Sequence, residues 1–289
     1  MLGLVSSVFT TLMPGESLPS LIDQSVAQGV RWIELRQGTL GAPYEDGQQI
    51  PSPEHIAALV KSFGPAGVCF GYAFVLPVFS SPLANATTQS AIFQAAIDTA
   101  EAVRAATGGS SQFQLRCVDL TANNANFNRS LVPMISVTLD ALYAVATIQH
   151  GFLLSVENAQ LSWGTFSPLL SASPLSFCFD PCNIVAYSNP GDPTLPSEAA
   201  LSLKASRIAL LHAKQSVAGA IAPAITNGAL DWAQQAAALN QTGFSGPVLL
   251  EIASSPSLFS DIPASVSFLT QQGFSFAPPL SSSPPPGVC

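Results

Sequence analysis

RIALLHAKQSVAGAIAPAITNGALDWAQQAAALNQTGFSGPVLLE, residues 207–251, reads as one strand–helix–strand unit. The apolar runs at 207–213 and 247–252 have the length of buried strands. Between them, 229–240 places apolar residues at three- and four-residue spacing, the period of a helix. Gly243 stands where that helix must stop and the chain must reverse. Two strands joined by a crossover helix make a parallel pair.

The same unit extends back along the chain. Further apolar runs lie at 2–9, 30–36, 67–75, 112–119, 151–158 and 175–180, which makes eight in all. Helical stretches at 17–28, 53–63, 88–106, 130–149, 196–205 and 262–272, with a shorter one near 165–171, separate or follow them. Gly29, Gly67 and Gly151 punctuate strand starts as Gly243 does. Eight rounds predict an α/β fold, a single (β/α)8 TIM barrel over residues 1–277. An open doubly wound sheet is the alternative, but no GxGxxG follows the first strand and the units repeat at roughly thirty residues. The end, PPLSSSPPPGVC at 278–289, has no apolar face and is expected to be a disordered tail. Residues 77–91, PVFSSPLANATTQSA, have loop chemistry and would arch over the carboxyl face as a lid or an ordinary long loop.

Apolar residues are 48% of the chain and charged residues only 9%, a balance that suits buried parallel strands and argues against disorder. The formal charge of −8 repels a phosphate backbone, so nucleic acid is not an expected partner. No uninterrupted apolar run is expected to reach the roughly 18 to 20 residues that cross a bilayer, and no membrane partner is expected. The first cation is Arg31, so the N-terminus lacks the basic region of a signal peptide, and the chain reads as soluble and cytoplasmic. Five scattered cysteines, Cys69, Cys117, Cys178, Cys182 and Cys289, are expected to be free thiols. Sequons begin at Asn85, Asn128 and Asn240, which a chain rich in Asn, Ser and Thr produces by chance.

Strand ends converge on the carboxyl face of a barrel however far apart they lie in sequence. Four successive runs end on a group able to bind metal: LLSVE on Glu157, SFCFD on Asp180, IALLH on His212 and PVLLE on Glu251. Three carboxylates and an imidazole at one point repel or desolvate one another unless a cation lies between them. One such residue alone reads equally well as a helix cap or a salt-bridge partner. The donor set, oxygen-rich with one nitrogen, suits Mn2+, Mg2+ or Co2+ and also admits Zn2+.

The segments HGFLLSVEN, FCFDPCN, RIALLHAK and NGALDWAQQAAALNQTGFSGPVLLEI make the chain similar to the sugar phosphate isomerase and epimerase superfamily of xylose isomerase-like TIM barrels. The resemblance spans essentially the whole chain, with the opening half, including GVRWIELRQG, less distinctive. It implies one divalent ion held by Glu157, Asp180, His212 and Glu251, and a small carbohydrate-like substrate. Glu157 is implied as the base and Glu251 as the acid on the opposite face, with Asn158 placed to hold the Glu157 carboxylate. Two departures stand out. Ketose 3-epimerases of this superfamily carry His three residues after the Asp, where this chain has Asn183. They carry Arg a few residues after the metal His, where this chain has Lys214 and Gln215. Asn183 could bind a substrate hydroxyl, and Lys214 could orient or protonate an oxygen.

Glu34, Arg36 and Arg116 could reach the substrate or pair with one another, and Tyr72 and Trp163 could wall the pocket. Asn183 and Lys214 have equally good readings as packing or surface residues, and aromatic residues near strand ends, Tyr72 and Trp163 included, are more often plain core. Phe74 is a further candidate wall, while His55, His150 and the cysteines flanking Asp180 read as unrelated to catalysis. Four functions follow from these readings. They are a metal-dependent isomerase or epimerase of a keto-sugar or polyol, a dehydratase acting on keto-inositol or dehydroshikimate, a zinc nuclease, and a catalytically silent barrel. The nuclease needs more histidines than the three present, and the acidic balance opposes DNA. Barrels of this kind often dimerise, so a homodimer is compatible with the resemblance.

Overall fold

The computed structural model describes residues 1–38, 50–109, 113–189 and 191–276. In chain order the elements are β1 (Leu2–Val5), α1 (Leu18–Ala27), β2 (Trp32–Arg36), α2 (Pro53–Phe63), β3 (Cys69–Val75), α3 (Ala84–Thr88) and α4 (Ala91–Thr107). There follow β4 (Phe113–Val118), α5 (Val132–Tyr143), β5 (Leu154–Glu157), α6 (Trp163–Ser171), β6 (Ser176–Phe179), α7 (Pro181–Ala186) and α8 (Pro196–Ser202). The chain ends with β7 (Ile208–Ala213), β8 (Ser216–Val217), β9 (Ala220–Ile221), α9 (Trp232–Thr242), β10 (Val248–Leu250) and α10 (Leu258–Gln271). Eight parallel strands close into a barrel in the order β1, β10, β7, β6, β5, β4, β3, β2, and β8 and β9 form a separate hairpin. The TIM barrel expected from the sequence is therefore the fold. The expected tail, 278–289, lies outside the described residues.

Local chemistry sets the boundaries. The side chains of Ser17, Ser52, Ser90 and Asp231 accept hydrogen bonds from first-turn backbone N–H groups of α1, α2, α4 and α9, donors that would otherwise be unpaired. Gly243 ends α9 at φ 80°, a conformation that disfavours any residue with a Cβ. The first apolar run is only half strand, because Ser6–Phe9 winds into a 3-10 turn.

Strand alternation divides the interior into two layers. On β3, Phe70, Tyr72 and Phe74 join the large cluster beneath the helices, while Cys69 joins Val5, Trp32, Cys178, Leu210 and Leu249 in a small apolar cluster within the barrel. Gly3 lies where the barrel is tightest: a Cβ there would stand 2.8 Å from Trp32 Cβ and 3.0 Å from Leu249 Cγ. One step towards the carboxyl ends, the inward positions become Glu34, Arg116, Glu157 and His212, all buried. An apolar floor thus carries a charged layer.

Segment 77–91, read as a lid or an ordinary long loop, is anchored at its start, since Val78 and Phe79 are buried and the Phe79 and Ser80 amides donate to Asp119. Two expectations need correction. Cys117, Cys178 and Cys182 are free thiols, but Cys69 is disulfide-bonded. The continuous helical stretch Arg129–Gln149 is 21 residues long with mean hydropathy 1.8, enough by length and composition to cross a bilayer. In this fold Ile135, Leu139, Leu142 and Ala146 pack one side of it into the core.

Candidate metal centre

Each of the four predicted ligands is placed by its strand. Glu157 is the last residue of β5, Asp180 follows β6, His212 lies within β7, and Glu251 follows β10, its amide donating to Ala213 O at 2.9 Å. One donor atom from each lies within 4.8 Å of every other, close enough for a single ion to touch all four. The sheet order sets β5, β6, β7 and β10 side by side, so their ends line one arc of the rim.

Surrounding groups fix these side chains. Asp180 caps α7, with Oδ1 accepting from the Asn183 amide at 3.0 Å. Asn158 ties Asp180 down through its backbone, donating from Nδ2 to Asp180 O and accepting at Oδ1 from Asp180 N, both at 2.7 Å. Glu157 Oε1 accepts from Asn183 Nδ2 at 3.1 Å, and Glu157 Oε2 accepts from Arg116 Nη1. The residue holding the Glu157 carboxylate is therefore Asn183, and the expected Asn158 instead holds its neighbour. Arg116 also spans Glu34, with Nε to Oε2 at 2.9 Å and Nη2 to Oε1 at 2.7 Å. Glu251 meets Arg36 at 3.0 Å through Oε1 and Lys214 at 3.1 Å through Oε2, while Lys214 Nζ lies 2.6 Å from Asp180 Oδ2.

The electrostatics follow from this packing. Burial works to raise the carboxyls of Glu34 and Glu157, but Arg116 and His212 outweigh it and hold both at about 2. Burial likewise opposes Glu251, yet Lys214 and His212 bring it well below the usual range. For Asp180 burial outweighs Lys214 and pushes the carboxyl up; the 2.6 Å approach of the ammonium nonetheless favours the charged form. Burial alone would lower His212, but Cys178 and Glu34 around it raise it well above its ordinary value.

The donor set fits a divalent ion on the structure's own terms. Both ring nitrogens of His212 are buried and make no hydrogen bond. The nearest carboxylate oxygens to the ring stand at 3.2 Å on Glu251, 3.4 Å on Glu34 and 3.7 Å on Glu157. Buried polar atoms without partners at a point of convergence are what a missing ligand leaves behind. Cys178 could complete a second group with Glu157 and His212, and burial pushes its thiol up to about 12.

The outer candidates divide. Glu34, Arg36, Arg116, Asn183 and Lys214 all enter the network around the four ligands. Tyr72 and Trp163 do not wall the site. Tyr72 points outward from β3 and stacks on Phe74, itself in the same outer layer, and Trp163 packs among Phe166, Phe177 and Phe179. His55 is exposed, and His150 pairs with Glu101 at 2.8 Å, both away from the centre. A cavity of 590 Å³ lies between the α7–α8 region and the start of α9, with Ile184, Leu195, Leu230 and Gln235 among its walls and none of the four predicted ligands in its lining. Sequence reasoning missed Gln215, fully buried after β7. Its side chain bonds Leu230 N and O and Thr226 O, folding back the loop that carries the hairpin.

No family model matches the chain, and no curated protein resembles it in sequence. Solved structures do resemble it. A xylose isomerase domain-containing protein from Salmonella typhimurium LT2 superposes with a TM-score of 0.65 at 17% identity, over 93% of this chain and 97% of that one. The IolI protein with a binding zinc atom gives 0.63 at 13% identity, over 94% and 95%. An L-ribulose 3-epimerase gives 0.59 at 12% identity, over 94% and 93%. The likeness shows a shared fold, the TIM barrel.

Proposed function

We propose that the chain is a divalent-metal-dependent isomerase or epimerase of a small keto-sugar or polyol, acting by proton abstraction beside a carbonyl. The observation that carries this reading is the convergence of Glu157, Asp180, His212 and Glu251 to within 4.8 Å. An ion bound there would supply a Lewis acid that polarises a carbonyl and its neighbouring hydroxyl. The zinc of the IolI neighbour and the oxygen-rich donor set leave Mn2+, Mg2+, Co2+ and Zn2+ as the candidates.

The protein groups around that ion have separable tasks. Glu157 and Glu251 stand three places apart round the ring of eight strands, so they address a bound sugar from different sides. Glu157, kept ionised by Arg116 and aimed by Asn183, takes the carbon-bound proton. Glu251, at the more open rim, takes a proton from solvent and returns it on the other face. Isomerisation needs one such group and epimerisation uses both.

The test is solvent exchange: the chain loaded with Mn2+ or Co2+ is incubated with a panel of ketoses in D2O and followed by NMR. Deuterium should enter the substrate beside its carbonyl, and Glu157→Gln should abolish that entry with the ion still bound. Undiminished exchange in this variant removes Glu157 as the base. A product lighter by one water assigns the site to a dehydratase instead.

A further inference from the structure

A buried lysine stands among the predicted ligands. Lys214 lies two residues beyond His212, so strand alternation sends its side chain to the same side, and its Nζ reaches Asp180 Oδ2 at 2.6 Å and Glu251 Oε2 at 3.1 Å. One ammonium thus bridges two of the four groups that would hold the ion. It is buried, with only 9% of the side chain exposed. The charge of the centre is already close to balanced. Glu34, Glu157, Asp180 and Glu251 face Arg36, Arg116 and Lys214 with the His212 ring among them, four carboxylates against three cations and an imidazole. Arg116 grips the far oxygen of Glu157 and is locked onto Glu34 by two hydrogen bonds, and Arg36 grips the outer oxygen of Glu251. Of these three cations it is Lys214 that contacts Glu251 Oε2, the oxygen 3.2 Å from the His212 ring, together with Asp180 Oδ2, and its four-carbon stem is flexible enough to let go of them.

We propose that the Lys214 ammonium is a tethered cation standing in for part of the divalent ion's charge, and that the ion binds only by displacing it from Asp180 and Glu251. The inference rests on the metal reading above and extends it: Lys214 sets the affinity of the site. A divalent ion and an ammonium cannot share two carboxylates at contact distance in a buried site without strong repulsion. Once displaced, the head group remains beside the centre as a charged donor for a substrate oxygen.

Isothermal titration of the chelator-stripped full chain with MnCl2 and with ZnCl2 tests this directly, with no need of a substrate. Lys214→Met and Lys214→Gln should bind at least one of the ions more tightly than wild type, by roughly tenfold or more. Lys204→Met, which removes an exposed lysine, should leave affinity unchanged. The Gln variant keeps a donor for Asp180 and Glu251, which guards against misfolding in the Met variant, and circular dichroism checks both. If wild type binds and neither Lys214 variant binds more tightly, the tethered-cation proposal is overturned and the metal reading stands. If neither wild type nor the Lys214 variants bind either ion, both are overturned.

Discussion

Arg116 is the residue on which the charged layer depends. Its guanidinium is 1% exposed and pairs with Glu34 on one side and Glu157 on the other. Removing it takes from two buried carboxylates their main counter-charge and leaves them His212, so Arg116→Met should destabilise the fold by about 3–5 kcal/mol. Arg36→Met, whose side chain is 18% exposed at the rim, should cost less. Urea denaturation checks both, and a loss under about 1 kcal/mol for Arg116→Met would contradict the network described. The sequence made Glu157, Asp180, His212 and Glu251 readable as a converging set at this scale because each closes an apolar run. For Tyr72 the strand itself favours the core reading over the pocket wall. Gly71 and Ala73 alternate with it, and the large side chains of β3 therefore share the outward parity. The roles of Asn158 and Asn183 were not legible, because which amide reaches Glu157 depends on where α7 turns after Asp180.

At the level of elements, all eight strands and every helix longer than eight residues coincide with an apolar period in the sequence, since burial of a face is what makes both. The short pieces escaped. Helices α3 and α7 and the β8–β9 hairpin are too brief to show a period and exist through tertiary bonds, such as those Gln215 makes to its loop. Strand β1 also carries a constraint that only the closed barrel reveals. Gly3→Ala would press a methyl against Trp32 and Leu249, so a loss of about 1–3 kcal/mol is expected. Thermal melting measures it, and an unchanged midpoint would show that the barrel floor has slack.

For the whole molecule, the buried carboxylates tie stability to pH. Glu34 and Glu157 titrate at about 2 in the fold against an ordinary 4.5, so the folded state binds fewer protons than the unfolded state between those values. Their contribution is fully present above about pH 4.5 and is lost as pH falls towards 2. Unfolding free energy from denaturant titrations should therefore drop steadily below about pH 4.5, and a flat profile down to pH 3 would contradict the assignment.

The same buried charges make the central claim one of position, which diffraction can test at the manganese edge. In crystals grown with Mn2+, the account predicts an anomalous peak roughly 2.0–2.3 Å from a carboxylate oxygen of Glu157, Asp180 and Glu251 and from a ring nitrogen of His212, with the Lys214 ammonium moved off Asp180. A map with no peak among these four residues, and Lys214 still bridging Asp180 and Glu251, would contradict it.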